Sequence, residues 1–367
     1  MQNAPEINKE NVSRFLCENC GANMVFDPKN GKLTCPYCAH SQQIVADDAV
    51  DERPLEEFLQ RGMQNLQPMA REAMQVGCGS CGAIVNFTPP ETATQCDFCG
   101  AKIVAQPKAA DPLVAPEGVL PFCVTPPQAI ANFNKWLSSL WFAPSALKDL
   151  ARADKLSSVY IPYWTYDANT YSQFSGERGE HYYDTETYYE DGEQKERQVR
   201  RTNWYSTSGS VERFFDDVCI PATKSLPQKY LDKLEPWDFG ELKSYEPAYL
   251  SGHKAQTYQV ALDEGFERFK VIADDVIRAD VRNHIGGDEQ RIHNISTQIS
   301  NPTFKHLLLP IYAGAFQFGG KTFQIVVNGR TAEVQGERPY SWLKIGCLAF
   351  AILVFILFIV ILVSVLR

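Results

Sequence analysis

The sequence is short of positive charge, short of histidine, and lacks a complete nucleotide-binding pattern. Lysine and arginine number 35 against 44 aspartates and glutamates, a formal net charge of −9, which suits a chain poorly to holding a phosphate backbone. The deficit is spread along the molecule: residues 1–116 carry nine basic and fourteen acidic side chains, and residues 117–343 carry 24 and 30. The short run Lys195, Arg197, Arg200, Arg201 is too small to act as a basic stripe. The six histidines (His40, His181, His253, His284, His293 and His306) are scattered, and none stands in a recognisable frame with a serine or cysteine nucleophile. Ala315-x-x-x-x-Gly320-Lys321-Thr322 fits only the loose form of a phosphate-binding loop. That mechanism needs a helix after the loop, whereas FQIVVNG reads as a strand, so Gly319-Gly320 is expected to be a hairpin turn. The expectation is therefore not an enzyme; a nucleotide hydrolase dependent on Lys321 is the catalytic alternative.

Cysteine, by contrast, is plentiful. Eight of the eleven cysteines fall into four Cys-x-x-Cys pairs, Cys17–Cys20 with Cys35–Cys38 and Cys78–Cys81 with Cys96–Cys99. Shifting the first set by 61 positions superimposes every cysteine, and also carries Gly21 onto Gly82, Ala22 onto Ala83, Phe26 onto Phe87 and Pro28 onto Pro89. Each pair in a tight turn puts two sulfurs on one ion, and two such knuckles joined by a short hairpin close a tetrahedral site with Zn–S near ~2.3 Å. NMVFD (23–27) and KLTC (32–35), with Asn30-Gly31 between them, supply that hairpin. So short a span buries almost no core, and metal binding is expected to supply most of its folding free energy. A thioredoxin-like redox pair needs one Cys-x-x-Cys in a larger α/β domain, and structural disulfides need an oxidising compartment; no secretory leader opens the chain. Two structural Zn²⁺ ions are expected, with no open coordination position for catalysis. Cys123, Cys219 and Cys347 are isolated and read as small buried hydrophobes.

Residues 345–366 contain no charged side chain. Twenty-two residues at ~1.5 Å each span about 33 Å, enough to cross a hydrocarbon core of ~30 Å. Tyr340 and Trp342 stand where an interfacial aromatic belt lies, and Lys344 marks the water side. A span so near the C-terminus leaves the bulk of the chain on the side where it is made. The expected location is a bacterial cytoplasmic membrane, single-pass, with the N-terminal bulk in the reducing cytoplasm, where free thiolates persist.

The expected organisation is zinc ribbon 1 (1–45), a helical connector (46–76), zinc ribbon 2 (77–105), a Pro/Ala-rich linker (106–116), an α+β domain (117–340) and a transmembrane helix (345–366). Within the domain, PPQAIANFNKWLSSLW (126–141) carries apolar residues at helical spacing after two prolines, and residues 264–287 give the clearest helix, with Phe266, Phe269, Ala273, Val276, Ile277 and Val281 on its buried face. Residues 181–215 read as a long β-hairpin with an acidic tip near Glu190–Glu193, and strands are expected at 291–299, 307–318, 322–327 and 331–335. Strands with a few helices and no regular βαβ alternation make an α+β class with an antiparallel-rich sheet. His284, Asp288, Glu289, Arg291 and His293 cluster in HIGGDEQRIH; a polar loop after a helix explains them, and a ligand site is the alternative.

VLPFCVTPPQAIANFNKWLSSLWFAPSALK (119–148), YIPYWTYDANTYSQFSGERG (160–179), LEPWDF (234–239), HIGGDEQRI (284–292) and residues 303–345 resemble a family of bacterial double-zinc-ribbon, C-terminally anchored proteins of the YdjG type. The family often carries the label primosomal protein N-prime (replication factor Y)-like. That label reflects the cysteine knuckles, because true primosomal helicases are longer and carry complete ATPase motifs. The resemblance implies an SPFH (flotillin-like) partner and a PspA-like membrane-stress system, and it supplies no catalytic residues. The reading is a tail-anchored cytoplasmic adaptor that recruits protein partners to the membrane, with a homo-oligomer also allowed. A replication-related nucleic-acid-binding ribbon protein is the rival, and the acidic charge opposes it.

Overall fold

From Val159 to Ala168 every residue is buried, and from Asn169 to Gly176 exposed and buried residues alternate. Such a strand is covered on two faces at its base and on one face beyond. The computed structural model describes residues 15–47, 49–60, 74–77, 84–87, 93–95, 102–104, 108–109, 114–144, 156–190 and 192–365. In chain order its strands are β1 (Val25–Asp27), β2 (Lys32–Thr34), β3 (Ser41–Gln42), β4 (Arg53–Pro54), β5 (Met74–Gly77), β6 (Ile84–Phe87), β7 (Ala93–Gln95), β8 (Lys102–Val104), β9 (Lys108–Ala109), β10 (Gly118–Val119), β11 (Ser157–Glu190), β12 (Glu193–Pro221), β13 (Lys243–Ser244), β14 (Lys254–Ala255), β15 (Glu289–Phe318), β16 (Lys321–Asn328) and β17 (Val334–Gly336). The class is α+β, built on one large, mostly antiparallel sheet.

β11 and β15 form its spine, antiparallel from Ser157↔Ala313 to Gly179↔Glu289. The other edge of β15 is taken in turn by β4 at Thr303–Phe304, by β10 (in parallel) at Leu307–Leu308, and by β16 from Ile311 onward. β12 follows β11 from Tyr163↔Pro221 to Glu190↔Glu193. The 34 residues of β11 reach on the order of 110 Å at ~3.3 Å each, so the hairpin projects as an arm. Its strands are joined between Glu190 and Glu193, where the acidic tip was expected, and Lys195–Glu190, Arg197–Glu186 and Arg201–Glu186 pairs lace its sides.

The two faces of the sheet base carry different cores. Ile161, Tyr163, Leu307, Leu309 and Ile311 pack under the 226–242 segment through Leu226, Leu231, Leu234 and Trp237. On the other face Tyr160, Leu308 and Tyr312 meet Ala129, Phe133 and Leu137 of the helix Pro126–Ser139. Farther along, the helix Leu262–Ile285 lays Phe269, Ala273, Ile277 and Val281 on Trp164, Tyr166 and Phe174. Two aromatic side chains fix its start: Trp164 Nε1 donates to the Val260 carbonyl (2.9 Å) and Tyr166 Oη to that of Leu262 (2.6 Å). Gly265 is required at this crossing, because a Cβ there would run into the buried Tyr166 Oη and the Trp164 ring.

The segment after the first knuckle pair is sewn onto the sheet. Leu55 is fully buried, Phe58 meets Phe304 edge-on at 5.2 Å, and the only helical turn described in 46–60 is Leu55–Gln60. Lys305, with 7% of its side chain exposed, lies 2.7 Å from Asp217, 3.1 Å from Glu52 and 3.8 Å from Asp167. Arg53 pairs with Glu117 at 2.8 Å, and Glu117 also accepts the His306 N–H. Burial pushes the Glu117 carboxyl up to about 7 from 4.5, against the opposing pull of that N–H and of Arg53. The fold thus keeps a proton that the unfolded chain releases: the stability it contributes is complete below about 4.5 and is lost as pH rises through about 7. Glu117→Gln keeps an acceptor and cannot ionise. Relative to the native chain it should gain stability between about pH 5 and about pH 8, by on the order of 2 kcal/mol, in urea unfolding at the two values.

Candidate metal centre

The first knuckle pair is built by backbone turns that aim sulfur inward. Cys17 N–H donates to the Ala22 carbonyl and Gly21 N–H to that of Cys17, both at 2.8 Å; Cys35 N–H donates to His40 (2.8 Å) and Ala39 N–H to Cys35 (3.0 Å). β1 and β2 pair from Val25↔Thr34 to Asp27↔Lys32 and hold the two turns together. The Sγ atoms of Cys17, Cys20, Cys35 and Cys38 all lie within 4.8 Å of one another, with Cys17–Cys38 at 3.5 Å and Cys20–Cys35 at 3.4 Å. Disulfide sulfurs sit about 2.05 Å apart, whereas a tetrahedral ion with ~2.3 Å metal–sulfur bonds has sulfurs about 3.8 Å apart. The four cysteines can hold one metal ion, as their spacing led us to expect. His40 contributes its carbonyl to the knuckle and is not needed as a ligand. The Cys38 thiol is held down to about 6, chiefly by the His40 backbone N–H, while Cys20, although drawn down by the Ala22 backbone, is pushed up to about 12 by Cys35 and Cys38.

Each knuckle closes on a residue in the left-handed region, Gly21 (φ 72°) and Ala39 (φ 58°). Glycine adopts that conformation freely and alanine does not. Shifted by 61 positions, Ala39 falls on Gly100. Ala39→Gly should stabilise the first ribbon by about 1 kcal/mol, read as slower loss of bound metal to a chelator.

The ribbon is not a free bead. Phe26 N–H donates to the Ser251 carbonyl (2.8 Å) and Ser251 Oγ to that of Met24 (2.6 Å). Phe26 is buried in the main core against Tyr249 (5.5 Å), and Met24 packs with Ala248 beside Cys17 and Cys35. At Gly252 a Cβ would come within 2.9 Å of Val25, so the two backbones meet closely. Nothing in the local sequence signals this docking, because its partners lie some 220 residues apart.

Cys78, Cys81, Cys96 and Cys99 lie outside the described residues. The strands around them are described, and two of their pairings repeat the first ribbon's register at an offset of 61, although among the described residues β6 and β7, the counterparts of β1 and β2, do not pair with each other. The bridge Leu16↔Asn23 becomes Gly77↔Ile84, and Leu33↔Gln42 with Thr34↔Ser41 becomes Thr94↔Ile103 with Gln95↔Lys102.

The other sequence features are dispersed. Gly319 and Gly320, both at positive φ, form a two-residue turn between Phe318↔Lys321. A strand follows them, so no helix N-terminus faces Lys321. The HIGGDEQRIH residues are used in pairs along the arm: His181 Nε2 lies 2.7 Å from Glu289, Arg291 stacks on Trp204 at 3.6 Å, His293 faces Glu177 at 3.7 Å, and His284 packs on Phe174. Of the isolated cysteines, Cys219 is buried, while Cys123 and Cys347 are exposed. At the end of the chain the helix Trp342–Val365 contains the 21-residue stretch Leu343–Val363, within which an 18-residue window has a mean hydropathy of 3.3 and is unburied. It is long and apolar enough to cross a membrane.

Fold and site together define a class: an α+β protein with a four-cysteine metal-type ribbon docked at its base and one long apolar helix at its end. In Bacillus subtilis (strain 168) the uncharacterized protein YdjG is similar to this chain, 25% identical over 337 residues that cover 91% of this chain and 92% of YdjG. No family model and no solved structure matches.

Proposed function

We propose that the protein is a membrane-anchored zinc-ribbon adaptor on the cytoplasmic face of a bacterial membrane, recruiting a protein partner through its ribbons and arm. The observation that carries the reading is the fully uncovered apolar helix, joined directly to a domain that holds the ribbon rigidly. The join is itself fixed: Ser341 N–H donates to the Phe142 carbonyl at 2.7 Å, and Lys344 Nζ to that of Ala143 at 2.7 Å. The domain is thereby held beside the bilayer. Exposed Trp141 and Tyr340 flank the join, as interfacial aromatics do.

Four thiolates favour zinc and leave no position for a substrate, so the ion is structural. The matching register around Cys78, Cys81, Cys96 and Cys99 supports a second ion of the same kind. An acidic surface carrying two such sites favours a protein over nucleic acid. By family resemblance the partner is an SPFH (flotillin-like) protein, or a PspA-like one, of a membrane-stress system. Cross-linking in native membranes, with and without a chelator, tests this. A protein partner captured only while metal is retained is expected, and recovery of nucleic acid with no protein would overturn the reading.

A further inference from the structure

An open cleft of about 700 Å³ lies beside the start of the apolar helix, between the β15–β16 turn, Lys229–Tyr230 and the segment Gly336–Tyr340. Its charge is opposite to that of the molecule. Lys229, Lys321 and Arg338 line it against one carboxylate, Glu337, in a chain whose net charge is −9. Glu337 lies 3.7 Å from Lys229, which also sits over the Tyr230 ring at 4.7 Å. Among the described residues, neither Lys321 nor Arg338 meets a carboxylate; Arg338 Nε donates to Tyr340 Oη at 3.2 Å. Phe323 and Tyr340 give the cleft an apolar side. Arg338 stands four positions before Trp342, where the helix begins, so the cleft rim lies within about 14 Å of the helix start and the bilayer it enters. Two uncompensated cations, an aromatic wall and this depth match a phosphate-bearing headgroup with the first part of its glycerol and acyl chains.

We propose that this cleft binds the headgroup of an anionic phospholipid of the leaflet in which the helix is anchored. The proposal rests on the membrane-anchored reading. Bound lipid offsets the repulsion between an acidic domain and an anionic surface, and it fixes the tilt of the domain over the membrane.

The test uses the full chain. It is first mixed with vesicles of phosphatidylcholine alone; failure to incorporate would overturn the membrane reading and this proposal with it. The chain in neutral detergent is then titrated with short-chain phosphatidylglycerol, short-chain phosphatidylcholine and inorganic phosphate, and bound species are counted by native mass spectrometry. Phosphatidylglycerol is expected to bind in preference to phosphatidylcholine. Lys321→Gln and Arg338→Gln should each weaken it about fivefold, while Lys195→Gln on the arm leaves it unchanged. Lys321 is exposed at the start of β16, Arg338 is exposed in the irregular segment after β17, and Lys195 is a half-buried residue of the arm near its tip, so folding is not at issue. Equal binding of the two lipids, or variants with native affinity, would overturn the proposal while leaving the anchor intact. Inorganic phosphate binding as tightly as the lipid would assign the cleft to free phosphate and overturn the lipid assignment.

Discussion

Cys35→Ser is expected to strip the first ribbon of its ion and to make residues 15–47 the preferred site of proteolysis, while the sheet stays folded. Cys35 is 1% exposed and packs with Met24, Leu33 and Ala248. That cluster is all the core the ribbon has apart from Phe26, too little to order some thirty residues against their chain entropy. In such modules the metal-binding free energy, on the order of 10–16 kcal/mol, is the folding free energy. One missing thiolate leaves three ligands and a site open to water, and affinity falls by several orders of magnitude. The loss should stop at the seam. The cores under Leu262–Ile285 and around Tyr163 and Trp237 contain no residue of the ribbon. Limited proteolysis followed by mass mapping checks this, and cleavage at the native rate throughout 15–47 would contradict it.

The second large effect concerns the apolar helix. Of the residues Leu343–Val363, sixteen are Leu, Ile, Val or Phe, each favouring insertion by about 0.3–0.6 kcal/mol at the centre of a span, or roughly 5–10 kcal/mol together. The full chain should stay with the membrane pellet through high salt and alkaline carbonate, and a chain ending at Ser341 should move to the supernatant. Phe355→Arg with Leu357→Arg, near the centre of the span, should cost about 5 kcal/mol and shift much of the protein into the soluble fraction. Fractionation followed by immunoblotting reads all three. A full chain released by salt alone would show a peripheral attachment.

Local pattern and chemistry were legible in the sequence; long-range fit was not. The cysteine spacing located the four-thiol cage, the residues of 264–287 located a helix observed at Leu262–Ile285, and Gly319-Gly320 located a turn. Phe266 and Val276, expected on the buried face, lie at its margin, while Leu262, Gly265 and Ile285 extend that face at both ends. Strands expected separately at 291–299 and 307–318 are one strand, because Asn301, at φ 51°, and Pro302 are absorbed as an irregularity between Asp167 and Asn169 of β11 and do not end the pairing. Nothing local in the sequence marks Lys305 for burial; it is buried where three carboxylates, from residues 52, 167 and 217, converge on it. The docking of Phe26 on Tyr249 depends, in the same way, on residues far apart in the chain.

The central claim is that ion-held ribbons are fused to a domain fixed at a membrane. Elemental analysis of the full chain, extracted from membranes without added metal or chelator, tests it most directly. We predict two zinc atoms per chain, falling to one in Cys20→Ser and to one in Cys81→Ser. A native chain free of metal, or a metal content that neither substitution changes, would contradict the account.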